Sequence, residues 1–159
     1  MFVPPPRWLV DEMLGRLARY LRFVGSDTVY LKGVTDDDLL ERAAREGRIL
    51  LTRDRALSKR APFAFLVTSP HLGEQWRQVR ERWPQLSTAV RFLRCSLCNG
   101  LLDSADPATV GGEGAVPPAV AESGRELFCC RECGHLYWEG SHTARIQRQI
   151  AAWEQEGRR

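Results

Sequence analysis

Four cysteines fall in two pairs of identical spacing, Cys95-x-x-Cys98 and Cys130-x-x-Cys133. Four thiolates so arranged close a tetrahedral zinc site and leave no position open for substrate, so the zinc expected here is structural. Cys129 and His135, beside the second pair, remain as alternative ligands; the two-residue spacing favours Cys130. Gly100 and Gly134, just past each pair, are expected to supply the positive φ of a tight knuckle. A second group is acidic: Asp11, Asp36, Asp37, Asp38 and Asp54. Carboxylates that converge repel one another unless a cation sits among them, and hard oxygen donors with water select Mg²⁺ or Mn²⁺. Each acid also has a plainer reading. Thr35-x-x-Asp38 matches a capping box, acids favour the first turn of any helix, Asp11 can be an N-cap and Asp54 an Asx turn.

Whether the acids meet depends on the elements that carry them. Trp8-Leu9-Val10 reads as a short strand with Asp11 just past its end, followed by a helix over about residues 12–24 that Gly25 stops. A strand near Thr28–Leu31, a helix from Thr35 to Glu46 broken by Gly47, and a strand from Arg48 to Thr52 come next, with Asp54 two residues beyond. A short helix after Asp54, a strand through Phe63 to Thr68 and a helix over about 73–83 complete this half. Such alternation implies an α/β fold with an open, mostly parallel sheet flanked by helices. The carboxyl ends of parallel strands share one edge, where Asp11, Asp54 and the start of the second helix are expected to meet. The division expected is residues 1–92 for this domain and 93–159 for a small zinc module with a C-terminal helix. That helix starts near Ser141 as N-cap and places Ile146, Ile150 and Trp153 on one face. Between the cysteine pairs, Asp103 to Gly124 reads as a loop, rich in Gly, Pro and Ala, with four acids and no base.

The 159 residues are 43% hydrophobic and 27% charged, which excludes disorder and a bare disulfide scaffold. No apolar run approaches the roughly 18 residues of a membrane span, and the opening MFVPPPRW lacks a secretory layout, so a cytoplasmic protein with reduced cysteines is expected. Charge is uneven: +5 over residues 1–92 and −2 over 93–159. Only Lys32 and Lys59 are lysines, so the positive charge is nearly all guanidinium, which suits bidentate phosphate contact and equally fits adaptation to heat. Arg16, Arg19 and Arg22 recur along the first helix, and Arg53, Arg55, Lys59 and Arg60 surround Asp54, a rim that would hold a polyanion against the acids.

Four segments, VDEMLGRLARYLRFVG, TDDDLLERAAREGRILLTRDRAL, RCSLCNGLL and CRECGHLYWEGSHTARI, together resemble the PIN-like RNase domain with an appended zinc ribbon found at the C-terminus of the Mut-seven exonuclease proteins. The likeness spans residues 7–150. It implies a PIN-like nuclease fold whose acids, Asp11, Asp36 or Asp37, and Asp54, hold Mg²⁺ or Mn²⁺ for hydrolysis of RNA phosphodiester bonds; an endoribonuclease is expected, with the choice between endo- and exonucleolytic cutting left open. Where many PIN domains carry a fourth acid this chain has Arg55 and Ala56, which leaves one or two metals open. The candidate nucleic-acid contacts are Arg16, Arg19, Arg53, Arg55, Trp138 and His142, with Tyr137, Arg131 and Arg145 beside them; Tyr137 and Trp138 serve equally as ribbon core. Arginine and stacking suit RNA and DNA alike. A competing reading is a non-catalytic zinc-ribbon RNA-binding or ribosome-associated adaptor whose acids are helix caps. A toxin-type RNase is a third, made less apt by the fused ribbon.

Overall fold

Trp8, Leu9 and Val10 leave no polar position for solvent, and they form β1 (Trp8–Val10), fully buried inside a parallel sheet. The computed structural model describes residues 5–110 and 115–157. The sheet contains β2 (Thr28–Tyr30), β3 (Ile49–Thr52) and β4 (Ala64–Leu66) in the order β2-β1-β3-β4, every pair parallel, with Leu9 opposite both Val29 and Leu50. Alternate residues feed opposite faces. Trp8, Val10 and Leu51 join a cluster with Leu17, Leu21 and Trp76, whereas Leu9 and Leu50 pack with Leu39, Ala43 and Leu57. Helices on both faces make the expected α/β layering.

The first helix is shorter than its apolar pattern. The Asp11 carboxylate accepts the Met13 N–H, turning Glu12–Leu14 into a 3-10 segment before α1 (Gly15–Phe23). α2 (Asp36–Glu46) carries the expected capping box, Thr35 and Asp38 bonding reciprocally. Asp54 caps α3 (Arg55–Arg60) by accepting the Leu57 N–H, and α4 (Leu72–Arg82) follows β4.

The second half holds an antiparallel sheet, β5 (Leu102–Ala105), β6 (Leu127–Cys130) and β7 (Leu136–Trp138), in that order. The expected loop from Asp103 to Gly124 is therefore corrected at both ends: Asp103–Ala105 belong to β5, and Pro118–Ala121 form the short helix α5. Residues 111–114 of that stretch lie outside the described residues. The last helix, α6 (Ser141–Glu156), is capped at Gly140 rather than Ser141, because the Thr143 hydroxyl accepts the Gly140 N–H. Its apolar face, Ile146, Ile150 and Trp153, is buried as expected, and it is buried in the same cluster as Trp8 and Trp76. Among the described residues no helix is long and apolar enough to cross a membrane.

α6 lies close against α4. A Cβ at Gly73 would stand 2.7 Å from Trp153 Cδ1, inside the van der Waals limit. Gly73→Ala is expected to lower stability by about 1–3 kcal/mol through forced displacement of the Trp153 ring. Urea unfolding measures this, and a stability equal to or above the parent's would contradict the packing.

The ribbon is tied to β2, the edge strand, through the first cysteine knuckle. Arg22, buried on α1, donates to the carbonyls of Thr28 (2.8 Å), Ser96 (3.2 Å) and Leu97 (3.1 Å). It thus leaves the exposed row expected from its spacing with Arg16 and Arg19. Asn99 accepts the Thr28 N–H at 2.9 Å and donates to Asp27 Oδ1 at 2.8 Å. Asp27 also faces Arg7 (3.2 Å), Arg48 (2.8 Å) and Arg94 (3.7 Å). Burial alone would raise its carboxyl, yet the hydrogen bonds from Arg48 and Asn99 and the charges of Arg48 and Arg94 hold it at about 2, below its ordinary 3.8. A depressed carboxylate adds stability that is complete above its unfolded pKa and disappears as pH falls toward the folded one. Asp27→Asn is therefore expected to cost about 2 kcal/mol at neutral pH. In urea titrations the gap to the parent should close between about pH 4 and pH 2; a constant gap would rule out the linkage.

Candidate active site and metal centre

At the carboxyl edge of the parallel sheet, Asp11, Asp36 and Asp54 line one cleft of about 140 Å³. Three different elements deliver them: Asp11 directly follows β1, Asp36 opens α2, and Asp54 caps α3 beyond β3. Asp11 is only 6% exposed. Its carboxylate accepts the Thr52 hydroxyl and the Met13 N–H (3.0 Å), while Thr52 Oγ1 in turn accepts the Asp54 N–H at 2.9 Å. Thr52 thereby couples the ends of β1 and β3. Burial pushes the Asp11 carboxyl above its ordinary range, with the nearby Asp54 charge adding to it, against the hydrogen bonds from Thr52, Met13 and Arg53.

The acids of α2 separate. Asp36, its side chain 53% exposed, faces the cleft with Arg60 3.7 Å away. Asp37, 82% exposed, pairs with Arg60 and takes no part in the lining, and Asp38 is spent on the capping box. Glu12, which the sequence reading passed over, lines the same cleft and accepts the Gly33 N–H at 3.3 Å. Its only sequence signal was adjacency to Asp11.

Among the described residues, only the four cysteines form a group of three or more ligating side chains with donor atoms mutually within 4.8 Å. The carboxylates share a cleft at wider spacing. A hard ion that keeps several waters and takes one or two carboxylates directly suits that spacing, and it would relieve the unfavourable burial of the Asp11 charge. The donor set fits Mg²⁺ or Mn²⁺.

Around this edge, Arg55 is exposed at the start of α3, and Arg16 is exposed on α1 one turn from the cleft. Arg53, between Thr52 and Asp54, has a buried Nε with no hydrogen-bond partner among the described residues. Arg19, Trp138 and His142 lie elsewhere. They line a separate cavity between the far end of α1 and the ribbon.

The cysteine cluster is formed by Cys95, Cys98, Cys130 and Cys133, with neither Cys129 nor His135 in it. Sγ separations of 3.6 Å (Cys95 to Cys133) and 3.4 Å (Cys98 to Cys130) suit a tetrahedron built on Zn–S bonds of about 2.3 Å. Cys129 instead points its sulfur at the Gly134 carbonyl, 3.6 Å away. The left-handed residues are Asn99 (φ 71°) and Gly134 (φ 73°). Gly100 serves a different need from the one expected, since a Cβ there would stand 2.7 Å from Cys130 Sγ. Tyr137 is committed to this centre: its hydroxyl lies 3.0 Å from Cys95 Sγ and accepts the Ser96 N–H at 3.0 Å. Burial raises the Cys95 thiol, but hydrogen bonds from Tyr137 and the backbone of Leu97 and Cys98 bring it down to about 7. Burial and the adjacent sulfurs push Cys98 up to about 12. Four thiols in contact ionise together only around a cation, so the cluster has the donors, spacing and electrostatics of a closed zinc site.

Residues 6–150 match the family model described as the Mut7-C RNAse domain. No curated protein and no solved structure matches the chain.

Proposed function

The chain belongs to the Mut7-C RNase domain family, and from that membership we propose that it is a Mg²⁺- or Mn²⁺-dependent endoribonuclease of the cytoplasm, PIN-like in architecture. The observation that carries the reading is the shared cleft of Asp11, Asp36 and Asp54. Asp11 and Asp54 would be the principal ligands and Asp36 a further one, with Glu12 lining the same cleft. When bound, the ion lowers the pKa of a water and offsets negative charge on the phosphate.

The chain's own residues do the rest. Thr52 and the Met13 N–H fix the orientation of Asp11, and the Leu57 N–H fixes that of Asp54, so both oxygens are preorganised before substrate arrives. Arg53 and Arg55 flank Asp54 and hold the phosphodiester against the cleft by charge-assisted hydrogen bonds, and Arg16 extends that path along α1. Glu12, Met13, Gly33 and Val34 around the cleft are all exposed, so an internal RNA segment can lie across it without threading a chain end. This supports endonucleolytic cutting. Four cysteines hold structural zinc in the module of residues 93–159, whose C-terminal helix packs back into the core of the catalytic domain, residues 1–92.

The test is cleavage of a labelled, partly single-stranded RNA by zinc-loaded protein, with Mg²⁺ or Mn²⁺ omitted and then restored. Omission is preferable to chelation, because a chelator would also strip zinc. Cleavage that appears only on restoring the ion is expected. RNA binding without cleavage under every ion condition would leave the non-catalytic adaptor.

A further inference from the structure

We propose that the cavity between α1 and the ribbon is a subsite for one unpaired nucleotide of the RNA, remote from the acids and assembled only when the ribbon is docked. This deepens the nuclease reading and rests on it. The cavity measures about 290 Å³, the low end for sites that take a small organic molecule, and it is too small for a duplex. Its walls come from four parts of the chain: Arg19 and Phe23 from α1, Arg91 from the segment leading into the ribbon, Trp138 from β7 and His142 from the first turn of α6. No carboxylate lines it among the described residues, so its field favours an anion.

The cations are available. Among the described residues neither Arg19 nor Arg91 is ion-paired, whereas the third lining arginine, Arg94, is held by Asp27 and the Asn99 carbonyl. Arg19 lies 5.9 Å above the Phe23 ring, and the His142 ring is 6.1 Å from the same ring. Unpaired guanidinium groups in a cavity that also holds aromatic side chains match a phosphate and its attached base, the two parts of a nucleotide.

α1 connects this cavity to the cleft. Glu12 and Met13, just before α1, line the acid cleft, and Phe23, its last residue, lines the cavity, about 15 Å from Met13 by the helical rise. Arg16 and Arg19 are exposed between the two ends. An RNA strand anchored by one nucleotide in the cavity follows these arginines and presents a phosphodiester a few residues along to Asp11 and Asp54. The substrate class is therefore RNA with a single-stranded stretch beside the scissile bond.

The experiment measures anisotropy of a labelled single-stranded RNA of about ten nucleotides on the zinc-loaded full chain carrying Asp11→Asn, which keeps the probe intact. Arg91→Gln is expected to weaken binding about tenfold and to reduce the salt slope by about one, and Arg91→Lys to recover part of both. Trp138→Leu should weaken binding with an unchanged slope. Zinc content and melting curves confirm that these variants are folded. Affinity unchanged in Arg91→Gln and Trp138→Leu would overturn the subsite even if the parent cleaves RNA. Loss of binding in both, with no cleavage by the parent under any ion, would keep the subsite and sink the nuclease. A nucleoside 5′-monophosphate binding as tightly as the oligonucleotide would reassign the cavity to a free nucleotide, and inorganic phosphate alone matching it would remove the base from the site.

Discussion

Asp11→Asn is expected to lower RNA cleavage roughly 10²- to 10³-fold, the cost of removing one preorganised electrostatic group from an active site. The replacement is nearly isosteric, and the amide can still accept the Met13 N–H while the Thr52 hydroxyl turns to accept from it. What disappears is the negative charge. That charge is held at 6% exposure beside Asp54, in a place that disfavours ionisation. Without divalent ions the variant should therefore melt no lower than the parent, so activity and stability move apart as they do where a site is strained for function. Asp36→Asn should also impair cleavage, because Asp36 faces the cleft. Asp37→Asn should stay within about twofold, since it loses only an exposed ion pair with Arg60. Steady-state cleavage of one RNA by the three variants checks the ranking. Loss in Asp37→Asn with retention in Asp36→Asn would invert the assignment of the α2 acids.

Much of this site was legible in the sequence because local rules and tertiary placement agree there. Trp8-Leu9-Val10 and Ile49-Leu50-Leu51 are uninterrupted apolar runs, as strands covered on both faces of a parallel sheet require, and both acids follow such runs. The Thr35 capping box fixed where α2 begins. The ribbon strands were hidden for the opposite reason. Asp103 and Ser104 in β5 are exposed, and their pairing partners lie beyond Arg125, so nothing local distinguishes them from a loop. Arg22 misled through geometry. Positions three apart on a helix drift by about 60°, so by Arg22 the row has turned about 120° from Arg16 and enters the seam with the ribbon. Asn99 read as part of a turn, but its side chain satisfies the Thr28 N–H on an edge strand far away in sequence. The face of α6 was visible in its spacing, while its destination in the core around Trp8 was a tertiary fact.

That seam makes zinc removal reach further than the ribbon. Cys130→Ser is expected to abolish zinc binding and lower the melting temperature by about 10–20 °C, equivalent to roughly 3–5 kcal/mol for a chain of this size. The direct loss is the staple that lets three short, half-exposed strands hold together. The indirect loss is at Arg22. When the knuckle opens, its buried guanidinium loses the Ser96 and Leu97 carbonyls, and each buried donor left without a partner costs about 1–3 kcal/mol. Asp27 and the Thr28 N–H lose Asn99 in the same event. Cys129→Ser should keep one zinc per chain and melt within about 2 °C of the parent, because its sulfur stands outside the cluster and meets only backbone carbonyls. Metal analysis and circular dichroism melting separate the cases. Zinc lost from Cys129→Ser and kept in Cys130→Ser would exchange the two ligands. Zinc lost from Cys130→Ser without a fall in melting temperature would mean that the sheet stands without the knuckle, and that Arg22 finds other acceptors.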